Sequence, residues 1–76
     1  MQMMKLAILA GVVEKKVEKN DELYIEARKV QEDIALSDFI QVAISLGRLE
    51  AKIEDREVFN LIKEMESILI QSQYGI

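Results

Sequence analysis

Residues 35–53, ALSDFIQVAISLGRLEAKI, carry apolar side chains on two faces of one helix, and this constrains the folds open to the chain more than any other feature. Ala35, Phe39, Val42, Leu46, Leu49 and Ile53 recur at alternating steps of four and three residues, which makes one unbroken seam for packing on another helix. Ile40, Ile44, Gly47 and Ala51 form a second row of the same spacing, which we read as lying on a neighbouring part of the same cylinder. A helix on the outside of a small monomer does not need both rows. The spacing therefore predicts a helix that is either central in a bundle, both rows being filled by the chain's own helices, or shared with a second chain. Gly47 and Ala51 would let another backbone come close, and Ile40 and Ile44 would supply apolar area. In the shared case the contact residues are Phe39, Ile40, Val42, Ala43, Ile44, Gly47 and Ala51, and the partner is a second copy or another protein.

The rest of the chain also reads as helix. Leu6, Leu9 or Ala10, Val13 and Val17 fall at helical spacing with Lys15, Lys16 and Lys19 on the opposite side, so a first helix is predicted within residues 3–19. Gly11 and the β-branched pair Val12 and Val13 weaken that helix and would also suit a strand. Asn20 and Asp21 are good N-caps for a second helix, whose apolar side is Leu23, Ala27, Val30 and Ile34 and whose polar side includes Glu26, Arg28, Lys29, Glu32 and Asp33. The apolar phase slips by one residue after Ile34. Ser37–Asp38 offers an N-cap there, so either a new helix starts at Ser37, or one long helix rotates its contact face there. Glu54 and Asp55 close the central segment, with Asp55 capping a last helix that begins at Arg56. Its seam is Val58, Ile62, Met65 and Leu69, widened by Phe59, Leu61 and Ile68, and the tail QSQYGI is expected to fray. No internal repeat, linker or low-complexity segment is visible.

With no proline, three glycines and 50% hydrophobic beside 32% charged residues, the composition is that of a protein interleaving apolar and charged helix faces. The fold expectation is one all-α domain over residues 1–76, three or four helices packed as a hairpin or small bundle and joined into a homodimer. A domain this short buries little of its surface, and no cysteine is present to staple it by disulfides. Neither cysteine nor histidine is available as a metal ligand or as half of a nucleophile–base pair, so no cofactor, no metal and no enzymatic activity are expected. The serines Ser37, Ser45, Ser67 and Ser72 show no partner. Glu32 with Asp33, and Glu54, Asp55 and Glu57, lack calcium-loop spacing and read as solvated helix ends and faces. Met1, Met3, Met4 and Met65 read as core filling or chain ends rather than as a dedicated groove.

The formal net charge of −4 is distributed as +2 over residues 1–20, −4 over 21–50 and −2 over 51–76. Nucleic-acid binders present a positive face to phosphate, and here only Lys15, Lys16 and Lys19 could begin one, diluted by Glu14 and Glu18. The apolar run in residues 3–13 is too short to span a bilayer and passes into EKKVEK without a cleavage context. No signal peptide and no membrane association are expected, and the default compartment is the cytoplasm.

Residues 33–44, DIALSDFIQVAI, resemble the turn and second-helix start of ribbon-helix-helix DNA-binding proteins, with Ser37, Asp38, Phe39, Ile40 and Ala43 in the matching places. The resemblance implies that VVEKKVEK is a DNA-reading ribbon, that the helix from Glu22 is the family's first, and that Lys15, Lys16 and Lys19 contact DNA. Asp33 stands where that family usually has a turn glycine, the ribbon lies further from the N-terminus than is usual, and a whole extra helix follows. Two functions are thus carried forward. The first is a non-enzymatic helical interaction module, an adaptor or regulator. The alternative is a dimeric DNA-binding regulator.

Overall fold

The computed structural model describes residues 3–74, with side chains for 4–71. Four helices follow one another: α1 (Met3–Lys16), α2 (Asp21–Ala35), α3 (Phe39–Lys52) and α4 (Arg56–Tyr74). The all-α expectation holds, with four helices rather than three. Each boundary has a local cause. Asn20 Oδ1 accepts from the Leu23 amide at 3.1 Å, Asp38 Oδ1 from the Gln41 amide at 3.1 Å and Asp55 Oδ1 from the Val58 amide at 3.1 Å, so α2, α3 and α4 all start on a capping side chain.

The junction between α2 and α3 decides between the two sequence readings. The chain breaks there. Ser37 has φ of 56°, its amide donates to the Ile34 carbonyl, and the Asp38 amide donates to the Asp33 carbonyl, which is the Schellman arrangement with serine in the place glycine usually takes. Asp38, not Ser37, caps α3. Ala35, which the sequence reading put in the central seam, ends α2 as an exposed residue. At the N-terminus, α1 stops at Lys16, short of Lys19, although Val17 in the following turn is buried. VVEKKVEK therefore supplies the last turns of a helix and a turn, not a ribbon. At the other end Gln71 to Tyr74 continue α4, while Gly75 lies outside the described residues.

The four helices close a ring in which α1 touches α2 and α4, and α3 touches α2 and α4, without approach between α1 and α3 among the described residues. Lys5 pairs with Glu64 and Lys16 with Glu57, so α1 and α4 run antiparallel; Asp33 meets Ser45 and Glu22 meets Lys52, so α2 and α3 do as well. Leu6, Val13, Val30, Leu46, Leu49, Ile62 and Met65 meet in the centre with almost no exposure. Each such aliphatic side chain contributes about 1.5–3 kcal/mol when fully buried. The radius of gyration, 11.3 Å, matches the ~11.4 Å expected of a compact chain of this length.

The contacts also reveal an internal symmetry that the sequence reading did not find. Adding 36 to a residue number carries α1 onto α3 and turns the buried Leu6, Ala10 and Val13 into the buried Val42, Leu46 and Leu49. Adding 35 carries α2 onto α4 and turns Ala27, Val30 and Ile34 into Ile62, Met65 and Leu69, all buried. The cap Asn20 becomes the cap Asp55 by the same shift. The ion pair Lys16–Glu57 becomes Lys52–Glu22, joining the other two helices. The two hairpins thus repeat one pattern of buried positions, caps and ion pairs, and VEKKVE at residues 13–18 corresponds to LEAKIE at 49–54.

Candidate interaction surface

On α3 the buried residues are Val42, Ser45, Leu46 and Leu49. At 100° per residue, the row Ile40, Ile44, Gly47, Ala51 is centred on the far side of the helix from these, not beside them as the sequence reading had it. The row is open to solvent. Ile40 is 70% exposed and Ile44 42%, and Ala43, Gly47 and Ala51 are exposed as well. The chain's own helices therefore leave the second row uncovered. Two of the predicted contact residues do not belong to this surface: Val42 has 0% exposure and is part of the chain's own core, and Phe39 is half-buried against that core.

Ion pairs border the strip on both sides. Towards α2, Lys52 Nζ lies 2.9 Å from Glu26 and 3.8 Å from Glu22, and the Glu26 carboxylate raises the lysine above its ordinary range. Towards α4, Lys63 Nζ lies 3.1 Å from Glu50 and 3.6 Å from Glu66. Glu50 is held below the ordinary carboxylate range, first by its hydrogen bond to Glu66 and then by Lys63, whereas burial and the neighbouring Glu50 push Glu66 up. The middle of the strip carries no charge. Arg48, exposed and one turn on from Ile44, also borders the strip and is in no ion pair among the described residues, and around Gly47 a Cβ would meet nothing within 4 Å.

The remaining candidates sit elsewhere. Lys15 and Lys16 close α1 and face carboxylates, Glu18 at 3.8 Å and Glu57 at 3.2 Å, while Lys19 lies in the exposed turn that follows. A recess of about 670 Å³ opens between the two turns, lined among others by Lys16 and Lys52, Glu57 and Glu22, Val17 and Ile53. Of its three lysines, Lys16 and Lys52 are engaged in ion pairs, while Lys19 is in none among the described residues. Among the described residues no three acidic side chains come together as a metal cluster. No helix among them is long and apolar enough to cross a membrane. Met65 fills the core and Met4 lies on the surface, whereas Met1 and the Met3 side chain lie outside what is described.

Two features escaped the sequence reading. Asp33, assigned to a solvated face, is buried and accepts a 2.6 Å hydrogen bond from Ser45 Oγ, the serine read as partnerless. Met4 and Ile8, at 75% and 60% exposure, form an outer row on α1. The available signal was that α1 is apolar on nearly every side up to Val13, more than one buried face needs. No protein-family model, curated protein or solved structure matches the chain.

Proposed function

We propose that the chain is a non-enzymatic helical interaction module, an adaptor or regulator, that docks through the outer strip of α3. The observation that carries this is the uncharged row of Ile40, Ala43, Ile44, Gly47 and Ala51, turned away from the chain's own core and fenced by the Lys52–Glu26 and Lys63–Glu50 pairs. An isologous contact requires a patch that contains its own complement. The strip does, with isoleucine knobs beside alanine and glycine hollows, and a second copy of the chain is the partner it suits.

Sedimentation of the wild type and of Ile44→Glu tests the reading. The wild type should associate as concentration rises, and the variant, whose charge would have to be desolvated in the contact, should not. A wild type that stays monomeric into the millimolar range would remove the homotypic reading. No specific observation favours the DNA-binding alternative, since the ribbon segment is helix and turn and two of its three lysines face carboxylates. A duplex titration at two salt concentrations checks it, steep loss of binding with salt being the mark of phosphate contacts.

A further inference from the structure

The three junctions of the bundle end their helices differently. Lys15 and Lys16 close α1 and Lys52 closes α3, so both helices carry positive charge at the negative end of the helix dipole. The last turn of α2 has no basic residue and holds Glu32 and Asp33 instead, the wrong sign for a helix end. The turns after α1 and α3 are pinned to the interior by the buried Val17 and by Ile53, which packs on the core. Leu36, Ser37 and Asp38 have no such anchor, since all three are exposed, Leu36 at 76%. Among the described residues Ser37 is also the one non-glycine residue with positive φ.

We infer that the α2–α3 junction is a hinge that opens into continuous helix and lets two chains exchange hairpins, α1–α2 of one chain packing on α3–α4 of the other and the reverse. The receiving surface is already complementary, because it is the one each hairpin presents to its mate in the closed chain. Lys16–Glu57 at 3.2 Å, Lys52–Glu26 at 2.9 Å and the buried Asp33–Ser45 bond at 2.6 Å all cross between hairpins, and exchange makes them intermolecular without altering them. Opening the hinge gives up no buried side chain. Ser37 leaves the left-handed region, and the Ser37 and Asp38 amides, which now donate to the Ile34 and Asp33 carbonyls, each move to the carbonyl four residues back. The first amides of α3 gain the acceptors that a helix start lacks, and the Asp38 cap on the Gln41 amide is the bond lost. The segment ALSDF has neither proline nor glycine to interrupt the helix. A continuous helix over residues 21–52 runs about 48 Å at 1.5 Å per residue, longer than the 37 Å of the closed molecule's longest dimension. Straightening thus carries a chain's own hairpins apart, and each closes on the partner's. The exchange does not use the outer strip of α3 and stands whether or not that strip docks.

Refolding an equal mixture of unlabelled and heavy-isotope-labelled chains at millimolar concentration, then cross-linking with a zero-length carbodiimide, tests this by mass spectrometry of the dimer fraction. Links from Lys52 to Glu26 and from Lys16 to Glu57 should join labelled to unlabelled chain, half of them in a random mixture. Links from Lys63 to Glu50 lie within the second hairpin and stay unmixed, which makes them the internal control. Ser37→Gly relieves the closed turn and weakens the continuous helix, so the dimer association constant should fall about tenfold or more, two hinges being opened per dimer. Ser37→Ala keeps the Cβ and favours helix, and should raise it. A chain that refolds only to monomer overturns the exchange. So does a dimer whose Lys52–Glu26 links stay unmixed, and if Ile44→Glu dissolves that dimer, the docking of α3 stands without the hinge.

Discussion

At the residue scale, the positions that say most are those where a side chain does something its type does not advertise. Ser37 occupies the left-handed position of a helix C-terminus, where an L-residue with a Cβ is less stable than glycine by roughly 1 kcal/mol. Ser37→Gly should raise the unfolding free energy by about that amount in urea titration, with an unchanged denaturant slope, because no side-chain contact of Ser37 is lost. Ser45→Ala should act in the opposite sense. It would leave the buried Asp33 carboxylate without the 2.6 Å hydroxyl donor, at a cost of about 1–3 kcal/mol in the same measurement. Neither residue could be read from the sequence. Ser37 is identifiable only once φ is known, and Asp33 and Ser45, being on different helices, meet only after α2 and α3 have packed.

At the scale of helices and hairpins, the two halves of the molecule make the same contact with different chemistry. In the first hairpin the Gln31 Nε2 donates to Glu14; in the second the corresponding residues are Glu66 and Glu50, two carboxyls sharing one site beside Lys63. Glu66 is raised above its ordinary 4.5, so its contribution to stability is fully present below that value and is lost as pH rises through its folded-state pKa. Glu50 is lowered, so its contribution is present above 4.5 and is lost on acidification. Glu66→Gln would give the second hairpin the Gln–Glu pair of the first. The variant should gain on the wild type as pH rises from 4.5 to neutrality, seen as a difference in melting temperature that widens over that interval. Gly47→Ala separates stability from association on α3. Alanine is favoured over glycine in a helix interior by about 1 kcal/mol and meets nothing here, so thermal stability should rise by roughly that amount, while filling the hollow should weaken self-association in sedimentation.

At the scale of the whole molecule, association and folding are linked, because anything that binds only the folded chain stabilises it by mass action. If the outer strip of α3 pairs two copies, the melting temperature of the wild type should climb with protein concentration and that of Ile44→Glu should stay flat; a flat wild type in differential scanning calorimetry would count against self-docking. The sequence alone determined the helical class, because apolar residues at steps of three and four leave little other choice, and it determined the start of each later helix through Asn20, the Ser37–Asp38 step and Asp55. It also singled out the row of Ile40, Ile44, Gly47 and Ala51 as more apolar surface than one helix needs. Periodicity alone does not say which of two rows faces inward; α2 and α4 took the Val42 side and left Ile40 open. The repeat of the hairpin was hidden for a related reason: packing conserves burial rather than identity, and the offset changes from 36 to 35 between the helices, so no single alignment of the string exposes it. Only the closing of the ring decided that α1 and α3 stand at opposite corners, since the direction in which an outer face points depends on where its neighbours sit and not on its own residues.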